Sequence, residues 1–296
     1  MSSTTATAGK TNVKALVGIV AFCIFVYINN MTMGILAYIM ASYSDVSTTV
    51  VQTILVTPSL VGTIYGFAFG NLNKRFSVKT LLIFAEVMLL LEGVVFLLFG
   101  GVLPIYVMIV AAGFVGFMQG SANTLLGLLL LDAVPDEGRR NSLLGVCMAA
   151  MNIGGVALVT TGGVLAVGRW NNAYYLYLFI ILVIVIDIIC LPNTKPEGAV
   201  AEAAGPAEAQ VEAAPVEKGS MKKAWILSAH YLFYFLFLYV YGTNISEYVI
   251  TTHQLGTSVE AGIASSCVTV GGIIAGVLYG FYSPILKKWT APILMA

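Results

Sequence analysis

Eight apolar runs, each long enough to cross a bilayer, decide what this chain can fold into. They lie at 15–40, 49–71, 79–99, 105–131, 142–167, 172–191, 223–250 and 260–285, and a ninth begins near Ala291. About 20 apolar residues in a helix span the hydrocarbon, and lipid offers the backbone no hydrogen bonds, so each run is expected to be an α-helix. A membrane barrel would need short alternating segments, and these runs do not alternate. The first run is also too long for the h-region of a signal peptide, roughly 7–15 residues. Composition agrees: of 296 residues, 59% are hydrophobic and 9% charged, where a soluble domain carries about 25% charged residues. So little charge cannot cover a soluble surface, and the excess apolar surface must face lipid.

The cations give the orientation. One side of the alternating spans collects Lys10, Lys14, Lys74, Arg75, Lys79, Arg139, Arg140, Lys195, Lys218, Lys222, Lys223, Lys287 and Lys288, and the other has Arg169. That bias predicts a cytoplasmic N-terminus in a multi-pass protein of the plasma membrane. The net charge is zero, so no clustered basic face points to a nucleic-acid partner. Cys23, Cys147, Cys190 and Cys267 all fall in apolar runs without metal-ligand spacing, and they are expected to be buried small hydrophobes with no disulfide and no metal. No cofactor is expected.

Between the sixth and seventh runs the composition changes. Pro196 to Gly219 is rich in Ala, Glu, Pro and Gly, too poor in large apolar residues to fold, and is expected to be a flexible linker. The expected organisation is an N-terminal tail over 1–14, a six-helix bundle over 15–192, a cytoplasmic linker over 193–221 and the start of a second bundle over 222–296. A shift of 210 residues lays Gly62, Gly66 and Gly70 on Gly272, Gly276 and Gly280, Tyr38 on Tyr248, Ser47 on Thr257 and Thr80 on Thr290. Such a small-xxx-small ladder lets helices approach closely in lipid, and its recurrence marks a parallel repeat.

Three loops carry a resemblance. Gly70-Asn-Leu-Asn-Lys-Arg-Phe-Ser-Val-Lys79 follows the second run, Asp136-Glu-Gly-Arg-Arg140 the fourth, and Pro192-Asn-Thr-Lys195 the sixth. In this order they resemble the loops of the major facilitator superfamily, the first being similar to G-x-L-x-D-R-x-G-R-K with Lys74 in place of the acid and Ser77 in place of the second glycine. The resemblance implies that fold, with a complete N-terminal bundle, an incomplete C-terminal one and a chain cut short after helix eight. It also implies a cytoplasmic gate built from Gly70, Lys74, Arg75 and Lys79, with Asp132, Asp136 or Glu137 as partners and Arg139 and Arg140 nearby. Ala112 stands where proton-coupled members carry arginine in helix four.

By the same resemblance helices one, four and seven line a central cavity. On helix one, Tyr27, Asn30, Met31, Gly34 and Tyr38 share a stripe, and on helix seven so do His230, Tyr234, Phe237, Tyr241, Asn244 and Tyr248, as i, i+3, i+4, i+7 spacing requires. Gln119 and Asn123 lie a turn apart on helix four, and Asn152 sits in helix five. A polar-aromatic stripe is costly against lipid and fits a wet cavity. No Lys or Arg lies within the core of a span, which argues against a doubly charged anion. Glu86, Glu92 and Asp187 lie at membrane depth, where ionisable groups are functional candidates. Glu86 and Asp187 lie near enough to Lys79 or Lys195 to pair by snorkelling, and Glu92 and His230 are further candidates to carry a coupling ion. With no phosphate-binding loop, no nucleophile elbow and no metal cluster, the expectation is not an enzyme or a receptor. It is a secondary transporter of a small organic solute, embedded in lipid and coupled to protons or sodium. The alternative is a fragment that does not transport by itself.

Overall fold

The computed structural model describes residues 11–193 and 221–282. The linker stretch 194–220, Lys10, and the start of a ninth run fall outside them. The described residues fold as eight helical spans. The first is α1 (Val13–Phe25) followed by α2 (Asn30–Ser42), the second α3 (Thr48–Asn73) and the third α4 (Val78–Phe99). The fourth is divided into α5 (Ile105–Ala112), α6 (Val115–Gln119) and α7 (Ala122–Ala133), and the fifth is α8 (Glu137–Leu165). The sixth opens as a 3-10 helix (Trp170–Phe179) and continues as α9 (Ile180–Cys190). α10 (Met221–Glu247), ending in a π turn over Tyr248–Thr252, and α11 (Ser258–Tyr282) complete the described residues. The first six spans are long and apolar enough to cross a membrane. Each lies within a few residues of the run that predicted it.

Local chemistry sets the boundaries. Asn12, Ser77 and Asp136 are N-caps whose side chains accept from Ala15 N, Thr80 N and Arg139 N at 3.2, 3.2 and 2.8 Å, which satisfies otherwise orphaned donors. At the opposite end of α4, Asn171 donates to the carbonyls of Phe96 and Gly100 at 3.0 and 2.8 Å. That cap closes α4 with a residue from the sixth span, and bonds of this kind are worth about 1 kcal/mol each. The first span breaks over Val26–Asn29 with neither proline nor glycine: Ile28 N, Asn30 N, Met31 N and Thr32 N each bond the carbonyl three residues back. A tightened turn inside a helix often marks a hinge.

Two rungs of the glycine ladder, Gly62 and Gly66, lie against the fourth span, whereas a Cβ on Gly70 would meet nothing within 4 Å, and the side-chain positions of Gly272, Gly276 and Gly280 lie outside the described residues. A Cβ on Gly116 would stand 2.6 Å from Pro58 O and 2.7 Å from Gly62 N, and one on Gly120 would strike the Gly62 carbonyl. The second and fourth spans therefore touch backbone to backbone. Gly154 makes the same approach to Ile24 O of α1, and Gly93 presents its bare Cα to the Tyr177 ring. Around these contacts the first six spans bury one continuous apolar core that includes Phe22, Met31, Ile35, Leu82, Phe96, Tyr174 and Tyr177. α10 and α11 pack chiefly on α2 and α8.

Candidate functional site

Arg75, Lys79, Arg139 and Arg140 mark one face of the bundle, the basic end, and Arg169 the far end. The sequence places the stripes of α1, α2 and α10 along a path between them. Close to the far end the helices meet tightly. A Cβ on Gly34 would stand 3.1 Å from Gly262 Cα, and one on Gly163 would stand 2.6 Å from Ser258 O. Ser246 Oγ donates to Gly34 O at 2.9 Å and accepts from Ala37 N at 3.1 Å. Ser258 Oγ donates to Gly163 O at 2.6 Å, and Ser258 N donates to the Tyr38 hydroxyl at 3.3 Å. Helices α2, α8, α10 and α11 thus interlock through small residues and hydroxyls. Nearer the middle, the hydroxyls of Ser59 and Tyr239 meet across the two halves.

The sequence candidates distribute around this interlock. Gly34 and Tyr38 are part of it, and Tyr38 also lines a cleft of about 680 Å³ at the far end beside Arg169 and Trp170. Tyr27 is half-buried against Gly155 of α8, and Asn30 is half-buried at the break of the first span. Gln119 and Asn123 are exposed. Asn152 donates to Met148 O within its own helix at 2.9 Å. On α10 and the π turn that ends it, His230, Tyr234, Phe237, Tyr241, Asn244 and Tyr248 are all exposed, as are Leu232, Phe233, Leu236 and Val240 on the helix's other sides. Tyr241 donates to Ala264 O of α11, and Asn244 donates to Val240 O and Thr243 Oγ1.

The embedded acids are packed rather than solvated. Glu92 is 0% exposed. Its carboxyl faces the Tyr177 hydroxyl without closing a hydrogen bond. Beside it the Tyr174 hydroxyl meets Thr32 Oγ1 at 3.1 Å, and Thr32 donates to Asn29 Oδ1 at 3.3 Å. A buried polar line therefore runs from Glu92 on α4 to the break in the first span. Glu86 and Asp187 are buried together. Lys79, expected to latch the gate or pair with these acids, instead donates to the carbonyls of Ile188 and Leu191 at 2.6 and 2.8 Å. A cation there satisfies the orphan carbonyls at the end of α9 and complements its dipole. Lys195 lies outside the described residues.

At the basic end, Gly70, Lys74 and Arg75 are exposed, the two cations lining a cleft of about 400 Å³ with Ala68, Asn71 and Leu72. Arg139 donates to Thr11 Oγ1 at 3.3 Å, and Asp136 caps α8. Asp132 is exposed and Arg140 half-buried, and the side chain of Glu137 lies outside the described residues. Sequence reasoning missed Gly163, Ser246, Ser258 and Gly262, and also Thr32, Tyr174 and Tyr177. Their signal is faint: a single hydroxyl or glycine in an apolar run reads as filler until its partner is in place.

The described spans form a helical bundle in which α10 and α11 join the first six spans through small residues and hydroxyls near the far end. The sequence pattern of the Major Facilitator Superfamily matches residues 18–296, and the chain belongs to that family, one of transporters rather than enzymes. Its fold is similar to a bacterial homologue of the human lysosomal transporter Spinster, solved in an inward-facing, occupied conformation. That match has a TM-score of 0.66 and 14% identity, covering 94% of this chain and 61% of the other. It is also similar to a D-xylose–proton symporter, with a TM-score of 0.58 and 16% identity, covering 92% of this chain and 68% of that one. At such identities the likeness is one of fold. No curated protein matches the sequence. The chain spans about three-fifths of the length of the Spinster homologue.

Proposed function

We propose that this chain forms the solute path of a secondary transporter that works by alternating access, held here in the state closed at the far end. The observation that carries the reading is the interlock of α2, α8, α10 and α11 through Gly34, Gly163, Ser246, Ser258 and Gly262. Closure at one end is what one of two rocking states requires. The basic end is then cytoplasmic by the positive-inside rule, in the plasma membrane. The solute is a small organic molecule recognised by hydroxyls and amides: Tyr27, Asn30, Gln119, Asn123, Asn152, Tyr234, Tyr241 and Asn244.

The test asks whether the α10 face is wet, and from which side. Phe237 is 69% exposed, and it is changed to cysteine after the four native cysteines are replaced by alanine. A hydrophilic, membrane-impermeant thiol reagent is expected to label Phe237→Cys from the basic end and not from the far end. No labelling, or equal labelling from both sides, would overturn the reading.

For coupling, the symporter in the comparison is named for a proton, and the line Glu92–Tyr177–Tyr174–Thr32–Asn29 supports Glu92 as the group that carries one here. Its protonation would be felt at the break of the first span. Glu92→Gln keeps the shape and removes the acid. Accumulation of solute driven by a pH gradient is expected to fall to the level of protein-free vesicles. Undiminished pH-driven accumulation would remove Glu92 from the mechanism.

A further inference from the structure

Two carboxyl groups that the solute path does not use meet near the basic end. Glu86, about two turns into α4, is 1% exposed, and Asp187, near the end of α9, is 0% exposed. Their carboxyl groups are neighbours where α4 packs on α9, and none of their four oxygens receives a hydrogen bond from the described residues. Asp187 is seated on α1 as well, since a Cβ on Gly18 would stand 2.5 Å from its Oδ1. The pair therefore sits where α1, α4 and α9 meet. Lys79 of α4 is the cation whose field reaches Asp187, but its ammonium is held by the carbonyls of Ile188 and Leu191. From α1 the Cys23 thiol faces the pair, with Cys147 of α8 behind it.

Charge counting gives the occupant. Two adjacent carboxylates buried in an apolar bundle, with no donor from the described residues, resist both being ionised. Lys79 offsets one negative charge, and the second must be neutralised in place. One proton does this and converts two repelling acceptors into a donor and an acceptor. The resulting O–H···O⁻ bond is short and charge-assisted.

We propose that Glu86 and Asp187 form a one-proton site, a carboxyl–carboxylate pair that, while protonated, pins α1, α4 and α9 together. The site is separate from the solute path and does not depend on Glu92 or on transport.

The test uses the whole chain in lipid nanodiscs. As pH rises and the pair loses its proton, two facing carboxylates push the helices apart, so the melting temperature of the native protein is expected to drop. Glu86→Gln supplies a permanent amide donor to Asp187, and its melting temperature should fall much less than the native one across the same range. A Glu86→Gln profile parallel to the native one would overturn the proposal. Infrared spectroscopy gives a second readout should that variant fold poorly. The native protein should lose one protonated-carboxyl stretch over the pH range in which it loses stability, and Glu92→Gln should keep that behaviour. If Glu92→Gln abolishes it, the proton belongs to Glu92 and the pair is not the site. If exchanging potassium for sodium at fixed pH moves the transition, a metal cation occupies the pair and the proposal fails.

Discussion

Gly120→Val is expected to abolish the monodisperse, folded form of this protein, while Gly127→Val seven residues further along the same span leaves it intact. The difference is in what each Cβ meets. At Gly120 it would land on the carbonyl of Gly62, and its neighbour Gly116 already lies against Pro58 and Val61. The carbonyls of Gly62 and Pro58 are backbone atoms of α3, and they cannot turn aside as a flexible side chain can. Pro58 also locks its own φ, which limits how that turn of α3 can rearrange. At Gly127 a Cβ would meet nothing within 4 Å. Overpacking a tight contact costs about 1–3 kcal/mol and occasionally more, and here the whole face of the second span must lift from the fourth. Because total stability is about 5–15 kcal/mol, that loss is large. Size-exclusion profiles and thermal midpoints of the two variants in one detergent decide it. A Gly120→Val protein as stable as Gly127→Val would mean that the spans are not in backbone contact.

The spans were legible because they depend on length and apolarity alone. The glycine ladder was legible in part: Gly62 and Gly66 make the close approach that four-residue spacing suggests, and Gly70 does not. The breaks were harder to read. The fourth span is interrupted at Gly113 and Gly120, where glycine marks the place, but the first span breaks at Val26–Asn29, where no residue type signals it. The acids were only partly legible, for a different reason. Glu86 and Asp187 lie on spans far apart in the chain, and each read alone looked like a partner for Lys79. The fold gives Lys79 to the end of α9 and turns the two acids toward each other. Ser246 and Ser258 show the same limit. A serine in an apolar run carries no message until a glycine carbonyl from another helix stands opposite it.

The closure itself gives the second large effect. Gly163→Val is expected to shift the protein toward the state open at the far end. A Cβ there would stand 2.6 Å from Ser258 O and 3.3 Å from Val259 Cα, so valine wedges α8 away from α11. The wedge also stretches the bond from Ser258 Oγ to Gly163 O, now 2.6 Å, and the contact of Ser258 N with Tyr38. Hydrogen bonds contribute about 0.5–1.5 kcal/mol each, and overpacking adds about 1–3 kcal/mol. Conformational states of one protein commonly differ by only a few kcal/mol, so the closed state should lose its majority. Ser258→Ala removes the hydroxyl bond without the wedge and should move the balance less. Labelling of Phe237→Cys by an impermeant reagent reads the shift: far-end labelling, absent with glycine at 163, should rise strongly with valine and slightly with Ser258→Ala. If valine at 163 leaves the labelling pattern unchanged, these contacts do not hold the path shut, and the gate must lie elsewhere along α2 and α10.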